Sequence, residues 1–225
     1  MNAAELETSQ ASDIGSEEQS YVSGLTPVVM TKIYSEEVNL VVLQRSLGTD
    51  VSDYCQQLLE SKSSLNLRVV INPEKAPLSL KSLLPDLKGR SAFIDDLVLI
   101  MEMYACLFEL DEVGVRLQVL DRAMCPRFHT DKLGCRLVST YLGPGTEWLH
   151  NRDVDRSKLG AGNMGLSDEE SGLFSRPESI QQVSSGDIVL LKGDGWYGND
   201  GLGAVHRSPA ISGGEKRIIV TMDFA

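Results

Sequence analysis

The spacing of hydrophobic residues divides the chain near residue 111 into two parts with different periodicity. In the first part, apolar residues recur at helical spacing in three stretches, 50–60, 78–87 and 91–110. Ser91 stands where it can cap the longest of these predicted helices. Short β-branched runs predict two strands in the same part, 38–43 and 67–71. We therefore expect residues 25–111 to be mainly helical.

In the second part, residues 112–225, the hydrophobic period falls to two, which is typical of half-buried strands. The pattern predicts six short strands, 113–119, 135–142, 146–149, 187–192, 204–207 and 217–224. Their glycine-rich connections favour a sandwich or barrel. Two longer segments, 150–178 and 193–203, are expected to be loops that border the functional site and gate it. The sequence thus predicts one α+β domain over 25–225.

Charge and composition narrow the function classes. The net charge of −11 disfavours binding to nucleic acid or to an anionic membrane, since both need clustered Lys and Arg. Residues 1–24 are acidic and contain no Lys or Arg, which predicts a disordered tail. No apolar run approaches the roughly 18 residues of a membrane span, and we expect no signal peptide. The four cysteines lack dense spacing, which favours reduced thiols and a cytoplasmic location.

The candidate chemistry lies in the second part. His129 and Asp131 are two positions apart, so in an extended segment their side chains project to the same side. His206 follows later, at the end of a short apolar run. Two imidazoles and a carboxylate form the ligand set that holds non-haem Fe(II) and leaves positions open, and the set also suits Mn(II) or Zn(II). We predict that these three residues bind one metal ion.

Simpler interpretations of the same residues stay open. His129 and Asp131 can form an accidental surface pair, and His206 can be a core histidine with satisfied hydrogen bonds. Cys125 and Cys135 flank the pair as Cys-x3-His-x-Asp-x3-Cys, but structural zinc sites use tighter cysteine spacing, so a core role for Cys135 is the better interpretation. A Gly-x-Gly-x-x-Gly match at 193–198 lacks the following helix that a dinucleotide site needs.

The order His-x-Asp, strand, loop, strand, loop, His and then Arg217 on the terminal strand resembles the Fe(II)- and 2-oxoglutarate-dependent dioxygenases. The resemblance implies a double-stranded β-helix, a jelly-roll or cupin-like barrel, buttressed by the N-terminal helices. It implies that His129, Asp131 and His206 are iron ligands. It also implies that Arg217 pairs with the distal carboxylate of 2-oxoglutarate, for which a guanidinium fork is apt. Tyr141 is a second candidate for that carboxylate.

One departure from the family pattern concerns the co-substrate. Many members carry a hydroxyl residue two positions after the arginine, where this chain has Ile219, and the nearest hydroxyl on that face is Thr221. Arg217 is otherwise a structural arginine on a strand, and Tyr141 a packed tyrosine.

The chain is also similar to a family of uncharacterised bacterial proteins that is known as a domain of unknown function.

Three function hypotheses follow. The first is an Fe(II)- and 2-oxoglutarate-dependent oxygenase that acts on an unknown small-molecule or protein substrate. The second is a cupin-like protein that holds zinc or another divalent ion through the same residues without oxygenase activity. The third is a β-rich interaction module in which the triad is coincidental. Metal analysis and 2-oxoglutarate turnover separate the first two, and the distance between the three side chains tests the third.

Overall fold

The structure is a computed structural model that describes residues 20–61 and 65–225. Three α-helices lie in the first half, α1 (Thr49–Glu60), α2 (Ala76–Leu83) and α3 (Arg90–Phe108). The ten strands of the described residues are β1 (Tyr21–Gly24), β2 (Leu40–Leu43), β3 (Asn66–Ile71), β4 (Val113–Leu120), β5 (Cys135–Leu142), β6 (Glu147–Leu149), β7 (Ile180–Gln182), β8 (Ile188–Lys192), β9 (His206–Arg207) and β10 (Arg217–Phe224).

Seven strands form one large sheet in the order β1-β2-β8-β5-β10-β4-β3. Among these described strands, β1 and β2 run parallel and every other neighbouring pair is antiparallel. The remaining three strands form a small sheet in the order β7-β6-β9. The terminal strand β10 therefore lies inside the large sheet, between β5 and β4.

The alternating pattern of β10 decides which side chains reach the functional face. Ile218, Val220 and Met222 are fully buried in the main core, on the side of the sheet that the helices cover. Arg217 and Ile219 point to the opposite side, since successive side chains of a strand alternate between the two faces. There Ile219 packs in a second apolar cluster between the large and the small sheet. The cavity described below opens on this second face.

Helix α3 covers the other face of the sheet because its apolar residues recur at helical spacing. Leu97, Ile100, Met101 and Tyr104 are buried against the sheet. The helix is preceded by Gly89, whose φ of +86° is unfavourable for other residues, and an added Cβ there would lie 2.3 Å from the carbonyl oxygen of Asp50. The predicted cap was misplaced, because Ser91 lies inside the first turn and Gly89 occupies the cap position.

The α+β prediction is confirmed, with helices packed on one face of a large sheet. The predicted double-stranded β-helix is not confirmed: the strands of the described residues form a seven-stranded and a three-stranded sheet, and these do not close into a barrel. The predicted tail over 1–24 was too long, since Tyr21–Gly24 pairs with β2 as a strand, while residues 1–19 lie outside the described part.

Two further properties bear on the composition argument. All four cysteines are free thiols. Within the described ranges, none of the helices has both the length and the apolar character needed to cross a bilayer.

Candidate metal centre

The two histidines meet because the backbone segments that carry them pair with each other. His129 and His206 form an isolated antiparallel bridge, in which each backbone N–H donates to the carbonyl oxygen of the other at 3.0 Å. Directly opposed residues of an antiparallel pair project their side chains to the same side. The two imidazole centroids consequently lie 4.5 Å apart.

Asp131 completes a three-ligand group at the same point. One ligand atom from each of His129, Asp131 and His206 lies within 4.8 Å of the other two. The distance from His206 Nε2 to Asp131 Oδ2 is 3.7 Å. A single ion with metal–ligand bonds of about 2.0–2.2 Å fits such a group after small side-chain rotations. The structure thus brings together the three residues that the sequence predicted as ligands.

Hydrogen bonds orient both imidazoles toward the centre of the group. His129 Nδ1 lies 2.9 Å from the carbonyl oxygen of Arg127, and His206 Nδ1 lies 3.0 Å from that of Ala204. A carbonyl oxygen can only accept, so each Nδ1 carries a proton, and Nε2 is the nitrogen that holds the free lone pair in the neutral imidazole. Burial and the neighbouring His129 lower the pKa of His206 to about 4, so this imidazole is neutral at pH 7. Neutral imidazole is the form that binds a metal ion.

Asp131 faces a second side chain besides the histidines. Arg136 Nη1 donates to both carboxylate oxygens of Asp131, at 3.0 Å each. The same guanidinium donates from Nε and Nη2 to the two oxygens of Asp223, at 2.7 and 2.9 Å. Arg136 lies on β5 and Asp223 on β10, and the sequence analysis identified neither. Their pairing depends on the register between two strands, which the sequence pattern does not reveal.

Arg217 is a buried cation whose described partners are hydroxyl groups. Its side chain is 1% exposed, and it donates from Nη2 to Thr140 Oγ1 at 2.8 Å and to Thr146 Oγ1 at 2.9 Å. No carboxylate of the described residues forms an ion pair with it, and burial lowers the pKa of Arg217 to about 10. The guanidinium is still protonated at neutral pH. The nearby Glu147 partly offsets this lowering of the Arg217 pKa, but its carboxylate makes its ion pair with Arg207. A buried guanidinium that contacts hydroxyls and no carboxylate directly is suited to bind a carboxylate ligand.

The two histidines of the ligand group and Arg217 line one cavity. A space of about 50 Å³ between the two sheets is lined by both histidines, Arg136, Arg217, Ile219 and Thr221. The position two after the arginine is therefore occupied by a buried isoleucine, while Thr140 and Thr146 supply the hydroxyl groups. A larger depression of about 720 Å³ lies elsewhere, beside Glu60 and Glu215, and its lining includes no histidine.

Tyr141 does not lie in this cavity, which corrects the sequence prediction. Its hydroxyl donates to Asp96 Oδ2 at 2.6 Å, and Asp96 also pairs with Arg45. The ring packs against Phe93 of α3 in the helix-covered core. Alternation along β5 explains the error, because Thr140 faces the cavity and its neighbour must face the helices.

The segment 150–178 is anchored by Asp168, a carboxylate that is 4% exposed. Asp168 accepts from the backbone N–H of Phe128 at 2.8 Å, from Arg127 Nε at 2.8 Å and from Arg207 Nη1 at 3.2 Å. Arg127 and Phe128 directly precede His129 in sequence. Arg207 directly follows His206. One buried carboxylate thus ties together both histidine-bearing segments, so this part of the predicted gating loop is a fixed element.

Asp194 performs a similar role in the segment 193–203. Its backbone N–H donates to the carbonyl oxygen of Asp131 at 2.8 Å, and its carboxylate accepts from Thr130 Oγ1 and Lys132 Nζ at 2.8 and 2.7 Å. A Cβ added at Gly193 would lie 2.1 Å from the carbonyl oxygen of Leu133. The glycines of this segment permit close backbone approach, and no helix follows them as a dinucleotide site would require.

Other candidates from the sequence lie apart from the ligand group. Cys135 is buried in the main core, whereas Cys125 is exposed at the border of the cavity, and neither belongs to the three-ligand group. His150 packs edge-on against Tyr21 and Trp148.

The profile of one protein family matches most of the chain. That family is described as "Protein of unknown function (DUF1826)", and the match covers residues 24–223. No curated protein sequence matches the chain.

Several solved structures share low sequence identity with the chain. A dioxygenase for auxin oxidation from rice is 11% identical, with 91% of this chain and 82% of that one covered and a TM-score of 0.48. A prolyl-4-hydroxylase from Pseudomonas putida is 10% identical, with 88% and 97% covered and a TM-score of 0.44. HygX from Streptomyces hygroscopicus with iron bound is 10% identical, with 88% and 86% covered and a TM-score of 0.43.

Proposed function

Because the chain belongs to the DUF1826 family of proteins of unknown function, we propose its activity from its own residues: an Fe(II)- and 2-oxoglutarate-dependent oxygenase with an unknown substrate. One observation carries the proposal. The two imidazoles of a three-ligand group, which Asp131 completes, line the same cavity as a buried arginine whose hydrogen bonds within the described residues go to hydroxyl groups. The first feature fits a divalent metal ion, and the second fits an anionic co-substrate.

The metal would be held by His129, Asp131 and His206. Backbone carbonyls hold a proton on each Nδ1, so Nε2 is the nitrogen that each histidine would offer to the metal ion. Asp131 supplies the negative charge that favours a divalent cation. Three protein ligands leave the remaining positions of the ion for other molecules, which is typical of non-haem iron oxygenases.

The distal carboxylate of 2-oxoglutarate would bind Arg217, with Thr140 and Thr146 as further hydrogen-bond donors. The burial of Arg217 strengthens this pairing, because a charge removed from water interacts more strongly with its counter-ion. Ile219 and Val138 add apolar walls to the same cavity. When bound, Fe(II) and 2-oxoglutarate supply the oxidation of a substrate by dioxygen, with release of succinate and carbon dioxide.

Metal binding is the first test. The purified metal-free protein is titrated with Fe(II) under anaerobic conditions, and with Co(II) as an ion that resists oxidation. We expect one ion per chain in the wild type and none in His129→Ala or His206→Ala, with little change in circular dichroism. His150→Ala is the matched control, since this third histidine lies outside the group and should leave the stoichiometry unchanged.

Co-substrate binding is the second test. We expect 2-oxoglutarate to bind the metal-loaded wild type and to be converted to succinate, and we expect Arg217→Gln to retain metal but lose 2-oxoglutarate affinity. Arg122→Gln is the control, because this arginine is exposed. A tightly bound zinc ion with no succinate, even with Fe(II), ascorbate and candidate substrates, would favour the non-oxygenase metal-binding protein instead. Absence of metal uptake by the wild type would reject both.

A further inference from the structure

The carboxylate of Asp131 has one side occupied by Arg136. Nη1 of Arg136 is 3.0 Å from Oδ1 and 3.0 Å from Oδ2, so it is equidistant from the two oxygens of the carboxylate. A metal ion that is chelated by both oxygens of a carboxylate occupies the same equidistant position. The nitrogen and a chelated ion therefore compete for one place.

We infer that Arg136 confines Asp131 to one-oxygen coordination of the metal ion, which makes Arg136 a positioning residue for the proposed centre. This inference rests on the proposed function. Oδ2, which lies 3.7 Å from His206 Nε2, is the oxygen that faces the ligand group. With the equidistant position filled by Nη1, the ion binds Oδ2 alone.

The guanidinium is held where it blocks chelation. Asp223 accepts two parallel hydrogen bonds from Nε and Nη2, a fork that fixes the plane of the guanidinium. Side-chain exposure is 17% for Arg136 and 14% for Asp223, so water competes little for these bonds. Arg116 Nη2 also lies 3.5 Å from Asp223 Oδ2, but its side chain is 43% exposed, so this longer contact adds little to the fork.

One-oxygen coordination has a consequence for the co-substrate. Two imidazoles and one carboxylate oxygen leave half of the positions on a six-coordinate ion open. A chelating Asp131 would take one more position, so a chelating 2-oxo acid would fill the last two and leave none for dioxygen. The positive charge of Arg136 weakens the attraction of Asp131 for the ion and offsets negative charge beside the anionic 2-oxo acid. Loss of Arg136 should therefore keep or tighten metal binding and weaken 2-oxoglutarate binding, the opposite of general damage to the site.

The test uses the double variant Arg136→Gln/Asp223→Asn, which removes one charge of each sign. Co(II) alone and then 2-oxoglutarate are titrated into the full-length protein, and X-ray absorption or a crystal structure of the Co(II) form reports how many oxygens of Asp131 bind. We expect Co(II) affinity equal to or tighter than wild type, two-oxygen coordination and a loss of 2-oxoglutarate affinity of about tenfold or more, as partner changes around metal ligands cause. Arg116→Gln is the matched control, because it touches Asp223 but not Asp131.

The outcomes separate this inference from the function on which it rests. One-oxygen coordination with unchanged 2-oxoglutarate affinity in the double variant would overturn the role of Arg136 and leave the oxygenase proposal standing. Co(II) affinity that falls together with the unfolding temperature would likewise overturn it, by showing a merely structural role. A wild-type protein that takes up no Co(II) would overturn both.

Discussion

Removal of the Asp168 carboxylate tests whether the metal ligands are held in place by an anchor outside the cavity. Asp168→Ala leaves the backbone N–H of Phe128 without an acceptor in a buried place, which costs about 1–3 kcal/mol. Arg207 loses its hydrogen bond to Asp168 but keeps the one from its Nε to Glu147 Oε2, at 2.6 Å. The Arg127 side chain is 44% exposed, so water can replace the hydrogen bond that it loses. Because both arginines keep other partners or water, the expected loss of stability is about 2–3 kcal/mol, below the roughly 3–5 kcal/mol of a broken buried ion pair.

The assay is urea unfolding of the metal-free protein, with the slope m unchanged so that the midpoint reports stability. Glu169→Ala is the matched control. Glu169 contacts the same Arg207 at 3.0 Å, but its side chain is 55% exposed, so its loss should cost less than about 1 kcal/mol. We also expect the Co(II) affinity of Asp168→Ala to fall about tenfold, since both histidine segments lose their common anchor. If Asp168→Ala unfolds within about 0.5 kcal/mol of the control, the reasoning from buried hydrogen bonds is refuted.

Three further substitutions separate structural from functional roles. Arg217→Met removes a buried cation that lacks an ion pair among the described residues, so we expect the free energy of unfolding to rise by about 1 kcal/mol and stabilisation by 2-oxoglutarate to vanish; a less stable variant in urea would contradict this. Tyr141→Phe removes the hydrogen bond to Asp96 and should cost about 1.5 kcal/mol. Its 2-oxoglutarate affinity should be unchanged in calorimetric titration, and a weaker affinity would return Tyr141 to the site. Ser139→Ala deletes a buried hydroxyl that has no partner among the described residues, so unfolding should become harder by up to about 1 kcal/mol, and a clear loss of stability would exclude this account.

Sequence reasoning located the elements whose pattern is strong by itself. β10 and β5 begin and end where the alternation of apolar residues predicts, because both strands are buried in the centre of the large sheet. β1 was missed, since Tyr21–Gly24 has no alternating pattern and is a strand because it pairs with β2. β7, Ile180–Gln182, was missed for the same reason, since its partner is the distant β6. Strand spacing alone also does not reveal whether two sheets close into a barrel.

The residues of the site likewise divide into those that the sequence predicts and those that it does not. His129, Asp131 and His206 were visible as residue types suited to one ion, because ligand chemistry is a property of the side chain. Their supporting partners were not visible, because those depend on which strands are neighbours and in which register. The β5–β10 register, which shifts between Ile218 and Ile219, is what places Arg136 beside its partner on the other strand.

The reciprocal backbone bridge between His129 and His206 has a consequence for how the proposed centre would acquire an ion. The backbone bridge itself sets the spacing of the imidazoles, so the free energy of ion binding is not reduced much by a need to order the chain. A chelator should therefore remove the ion without unfolding the protein. A rigid receptor of this kind discriminates poorly among first-row divalent cations, whose affinities follow their intrinsic order. Cellular supply would then decide which cation is loaded, so recombinant preparations should differ in metal content with the growth medium.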